Sequence, residues 1–146
     1  MAERTLTAII PAAAAGADTE TILGTVTDRA YAIAAVRYHP VSVVTGVSTN
    51  TRKIEVWNRG AGGAGTSVLA SKQFDSGVNA PALADTPITV TSAGSAGGQG
   101  GTAANPGAVA VQPGDTLTVR SIHVGTGLAD PGGTVEVDLA AAVPPF

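Results

Sequence analysis

Residues 130–139 read DPGGTVEVDL. In an extended chain Val135, Val137 and Leu139 fall on one side and Glu136 and Asp138 on the other, because side chains alternate along a strand. The Asp-Pro-Gly lead-in supplies turn chemistry, with proline presetting one dihedral and glycine allowing positive φ. The same grammar recurs upstream in PGDTLTVRSIHV, residues 113–124. There Leu117 and Val119 face inward, and the apolar phase then moves to Ile122 and Val124. Such a flip predicts a β-bulge near Arg120-Ser121. RKIEVWN, residues 52–58, sets Ile54 and Val56 against Lys53, Glu55 and Trp57.

Working outward, the same alternation picks out RTLTAII (4–10), TILGTVT (21–27), AYAIAAVRYH (30–39, stopped by Pro40), TSVLASKQF (66–74) and ITVT (88–91). The β-branched run VSVVTGV (41–47) reads as a strand of its own or a continuation of its predecessor. The Ala-rich run 30–39 also suits a helix, but Tyr31, Ile33, Val36, Tyr38 and the following proline favour a strand. Turn signals recur at sandwich spacing. The expected fold is all-β: an antiparallel β-sandwich, jelly-roll-like, with about eight strands and extended N- and C-terminal arms. Its expected divisions are an N-terminal strand or arm over 1–16, a sandwich over 17–140 carrying a Gly-rich loop at 92–107, and a C-terminal arm over 141–146.

Composition narrows the function classes. The 146 residues contain no cysteine, so disulfides, thiolate metal sites and cysteine nucleophiles are excluded. Charged residues are 13% of the chain, with 8 Lys+Arg against 11 Asp+Glu and no basic run. Sequence-independent nucleic-acid binding needs clustered cations to displace counterions, so no nucleic-acid partner is expected. No apolar run is long enough for a membrane-spanning helix, and no membrane partner is expected. Aromatics are only 3%, which predicts a thin core of Val, Ile, Leu and Ala supplemented by burial between subunits.

Chemical motifs dissolve on inspection. Gly60, Gly62 and Gly65 match a dinucleotide fingerprint as a string, with Asp85 twenty residues on, but a strand-like segment follows where a helix N-terminus must hold the pyrophosphate. His39 and His123 lie far apart in sequence, with no G-x-S-x-G elbow to pair them with a serine. Glu136 and Asp138 share one strand face, the pattern of a glycosidase pair or a calcium site, and more commonly of a solvated charged face. The chain reads as a non-enzyme with no catalytic, metal or cofactor site. Trp57 lies on the polar face of its strand, where it stacks on sugar, enters a protein interface or packs under a loop. Apolar ends should not dangle in water: they either complete the domain's own sheet or dock on a neighbour. The expected interface residues are therefore Leu6, Ile9 and Ile10 at one end, Val143, Pro144, Pro145 and Phe146 at the other, and Trp57.

The runs RKIEVWNRG (52–60), PGDTLTV (113–119), HVGTG (123–127) and DPGGTVEVDL (130–139) resemble the capsid decoration (cement) proteins of tailed bacteriophages. The resemblance covers about the last two-thirds of the chain and lies in β-turn grammar. It implies a β-sandwich or jelly roll, often a homotrimer, bound to the major capsid protein on the outer surface of a virion assembled in the bacterial host cytoplasm. It implies no active site. The alternative expectation is a carbohydrate- or receptor-binding β-sandwich of a phage tail or fibre or a bacterial surface protein.

Overall fold

A computed structural model describes residues 4–90 and 110–142. The strands are β1 (Arg4–Ile10), β2 (Thr19–Thr25), β3 (Tyr31–Pro40), β4 (Thr51–Asn58), β5 (Ser67–Gln73), β6 (Thr86–Val90), β7 (Thr116–Val124) and β8 (Gly133–Ala141). Every pairing is antiparallel. No helix occurs among the described residues.

The pairings β1·β8, β2·β7, β3·β6 and β4·β5 describe one long ribbon doubled back at the β4–β5 hairpin. Wrapping that ribbon adds β3·β8 and β4·β7. Two four-stranded layers result, β1-β8-β3-β6 and β2-β7-β4-β5, which is jelly-roll connectivity. β6 stitches the layers together by pairing Thr89 and Val90 with Ser71 and Ala70 of β5. The hydrogen-bonded order is thus one nearly closed sheet from β1 to β2.

Because the strands alternate in direction, the connections sort to two ends. Loops 11–18, 41–50, 74–85 and 125–132 gather at one end, and turns 26–30 and 59–66 at the other. The interior holds the predicted faces, including Ile54 and Val56 of β4, Leu117 and Val119 of β7, and Val135, Val137 and Leu139 of β8. Tyr38 and Phe74 add aromatic bulk, with ring centroids 6.2 Å apart. A bulge on β5 turns both Leu69 and Ala70 inward, where strict alternation allows only one.

Two local expectations are corrected. β7 holds unbroken register with β4 from Leu117 to Val124, so no bulge lies at Arg120-Ser121. The bulge sits on the facing strand β2, at Leu23. The inward phase of β7 does not flip. It continues through Ser121, which is buried because the interior at that end is polar. Residues 41–47 form a loop rather than a strand, held by the Val44–Ala80 bridge and by bonds from Val41 N–H to Gly132 O and Gly46 N–H to Asn79. The Gly-rich segment 92–107 lies outside the described residues.

Candidate interaction surface

On the outer face of the second layer, Glu20 of β2, Arg120 of β7, Glu55 of β4 and Ser71 of β5 are consecutive partners in register. Trp57, two residues along β4, lies between two cations. The guanidinium carbons of Arg59 and Arg120 are 4.7 and 4.5 Å from its ring centroid. Its indole N–H donates to Glu55 at 3.0 Å. Glu20 accepts two bonds from Arg59 at 2.7 Å each and one from the Thr118 hydroxyl at 2.7 Å. The forked bond from Arg59 holds the Glu20 carboxyl down at about 2, against the opposing effect of partial burial. A cleft of about 670 Å³ opens beside this pair, under the Ala61–Gly63 turn and against Ile22, Thr116 and Thr118.

The first layer has its own charge network. Arg37 of β3 forks onto Asp138 of β8 at 2.7 and 3.1 Å, and Thr5 of β1 donates to the same carboxylate at 2.8 Å. The Arg37 guanidinium holds Asp138 below the usual carboxylate range. His39 sits 3.4 Å from Glu136 and 3.8 Å from Asp85. Glu136 and Asp138 therefore belong to a cross-strand charge lattice. Among the described residues, no three His, Asp or Glu side chains converge to hold a metal ion.

The loop-rich end differs from both faces. Val41 and Val43 are each 60% exposed and Leu83 is 79% exposed. They are neighbours through the backbone: Leu83 N–H donates to Pro40 O, and Val41 N–H to Gly132 O. A mainly apolar groove of about 350 Å³ runs between the β3–β4 and β7–β8 loops, bounded by Ser42, Val43, Val44 and Thr45 on one side and Leu128, Ala129 and Pro131 on the other, with no charged side chain in its lining. Leu83 has φ of +57°, the one non-glycine in the left-handed region among the described residues. That conformation places Cβ against the following carbonyl and costs about 1–2 kcal/mol.

Beneath this groove lies a buried polar knot. Arg52 is 1% exposed. It donates to the carbonyls of Ala14, Ala15, Ala17 and Leu128 and to the Ser121 hydroxyl. All five donors of the planar guanidinium fork are thereby used. Asp130, also buried, accepts from the Ser121 hydroxyl, the Tyr38 hydroxyl and the Gly132 N–H. Burial, reinforced by Asp130, pushes the Tyr38 phenol far up, so it remains a donor. At the opposite end a smaller knot joins Asn58 to Asp115 and to Ala110 O.

The expected interface residues are dispersed by this arrangement. Leu6 and Ile10 are core residues, 8% and 2% exposed, because β1 pairs along its whole length with β8 and turns them inward. Their place in an external interface is corrected. Of the three, only Ile9, at 81% exposure, faces out. Trp57 is half-buried within its cation pair. Val143, Pro144, Pro145 and Phe146 lie outside the described residues. The Gly60–Gly65 segment is a turn that leads into strand β5. His39 and His123 sit on strands of different layers, and the His123 ring pairs with Asp18 at 2.6 Å.

Sequence reasoning missed the Val41–Val43–Leu83 patch and the Arg52 knot. A signal existed for the second. Arg52 is in phase with Ile54 and Val56, which marks a charged side chain aimed at the core. Nothing local reveals that loop residues 83 and 41–43 meet, since the contact is made by β3, β6 and β8 bringing their ends together. Compared with known protein families, characterised proteins and solved structures, the chain matches none of them.

Proposed function

We propose that this protein is a non-enzymatic virion structural component, a capsid decoration protein that stabilises a phage head through contacts with the major capsid protein and with its own copies. The observation that carries this reading is the distribution of unspent surface. On the two layers, charged side chains pair with one another in the networks around Glu20 and Asp138. The loop-rich end presents exposed Val41, Val43 and Leu83 and an uncharged groove lined in part by Val43. An exposed apolar patch with a polar surround is the usual mark of a protein-binding surface. A decoration protein works by such area repeated over many copies, and binding that favours the assembled shell stabilises it by linkage. The test is to incubate the purified protein with expanded capsids that lack it. Saturable binding with a rise in the capsid's thermal stability is expected, and absence of binding overturns the reading.

A second reading, a carbohydrate- or receptor-binding module, draws on the cleft beside Glu20. It combines a carboxylate, a guanidinium, the hydroxyls of Thr116 and Thr118 and the apolar Ile22. Sugar recognition uses such groups together with an open aromatic face. Here the Trp57 ring is already engaged by Arg59 and Arg120. A glycan array decides this reading, and hits abolished by Glu20→Gln would favour it.

A further inference from the structure

We infer that the apolar groove between the β3–β4 and β7–β8 loops receives residues 143–146, Val-Pro-Pro-Phe, of a second copy of this chain, so that copies associate head to tail. The inference deepens the reading of the protein as an assembly module and rests on it.

The groove is built before any partner arrives. Its Leu128–Pro131 wall is held from below by Arg52, which bonds Leu128 O at 2.8 Å, and by Asp130, which bonds Tyr38 and Gly132 N. Its other wall is pinned by the Val44–Ala80 bridge. A wall fixed by buried hydrogen bonds loses little entropy on binding. Leu83, whose N–H bonds Pro40 O at the start of the loop that forms this wall, keeps an exposed apolar side chain in a left-handed conformation that Asn or Gly adopts more easily. Strain held at an exposed apolar residue points to a contact made by that residue.

Geometry selects the occupant. β8 leaves the groove end at Gly133 and finishes at Ala141, opposite Tyr31 at the far end. Nine strand residues cover about 26–30 Å. Residues 142–146, fully extended, reach at most about 16–18 Å. The segment therefore cannot turn back into the groove of its own copy, but it can enter that of a neighbour. Its chemistry fits the site. Two prolines lack the N–H groups that a ladder strand needs, and a Pro-Pro segment is extended with little ordering entropy to lose. Phe146 and Val143 supply apolar area to a lining without charge. Such a contact is heterologous, and it closes into a ring when the rotation between copies divides a full turn.

The absence of native cysteine makes the test clean. Ser42→Cys, at an exposed position of the groove lining, is made in one batch and a cysteine appended after Phe146 in another, and the two are mixed under mild oxidation. Both leave Val43 and Phe146 in place and should keep the parent melting curve. The expected result is a disulfide-linked heterodimer formed about tenfold or more faster than with Ile22→Cys replacing Ser42→Cys, reflecting a raised local concentration. An excess of a peptide of residues 141–146 should suppress it. Cross-linking no faster than the Ile22→Cys control overturns the inference. So does a monomeric internal disulfide, at high dilution, in a chain carrying both Ser42→Cys and the appended cysteine. Capsid binding by the parent protein separates the two claims. Decoration without the cross-link sinks the docking mode alone, whereas the cross-link without decoration sinks the virion reading alone.

Discussion

The Tyr38 hydroxyl donates a hydrogen bond of 2.9 Å to Asp130, a residue 92 positions away in sequence, inside the loop-rich end of the sandwich. The bond joins β3 to the β7–β8 loop and helps to satisfy a carboxylate that is 2% exposed. Tyr38→Phe keeps the ring against Phe74 and removes one donor from that carboxylate. We expect a loss of about 1–3 kcal/mol, measured as a shifted urea midpoint with unchanged slope.

Arg52 is the stronger test of the same knot. Its removal leaves the carbonyls of Ala14, Ala15, Ala17 and Leu128 without their guanidinium donor and takes one partner from Ser121, which bonds Asp130. Arg52→Ala should cost about 3–5 kcal/mol, in line with breaking a buried charged network. Arg52→Lys should rescue little, because an ammonium has three donors and no planar fork. Recovery of parent stability by lysine would show that charge alone matters there.

Leu83 should show stability and binding moving in opposite directions. Leu83→Asn places a residue that tolerates the left-handed region where leucine is strained. We expect a gain of about 0.5–1 kcal/mol in unfolding free energy together with weaker self-association and weaker capsid binding. Chemical denaturation and light scattering on one preparation read both effects.

Glu20 sets an acid limit. Its folded pKa is depressed from 4.5 to about 2, chiefly by the Arg59 fork, so its contribution is complete above about pH 4.5 and disappears as pH falls through about 2. After allowance for solvent screening of a partly exposed pair, this is worth about 1–2 kcal/mol. Trp57 is the one tryptophan and adjoins Arg59, so its emission reports the event. Glu20→Gln should flatten the stability profile across that window. An unchanged profile would show that the pair is dispensable.

Gly127 has φ of +85°, and a Cβ there would lie 1.7 Å from Ala15 O. Gly127→Ala must push the 11–18 loop away from the β7–β8 loop and so strain the Arg52 knot. A loss of about 2 kcal/mol or more is expected, read as a lower melting temperature.

What the sequence alone determined is the all-β class, the bounds of β1 and β7 and the inward faces of β4 and β8. These follow from a period-two alternation that needs no knowledge of neighbours: Ile54 and Val56, or Val135, Val137 and Leu139, sort to one side by geometry alone. Tertiary structure decided everything that depends on which loops meet. The run 41–47 has the composition of a strand, yet it is a loop, since the ladder positions beside β3 are filled by β6 and β8 and beside β4 by β5 and β7. Leu6 and Ile10 look like a sticky end, yet pairing with β8 makes them core. Ser121 and Arg52 sit at inward positions that read as polar errors in one strand, and only the convergence of loops 11–18 and 125–132 supplies their partners. The groove of Val43, Leu128 and Pro131 arises the same way, because the wrapped ribbon brings together chain ends more than 80 residues apart.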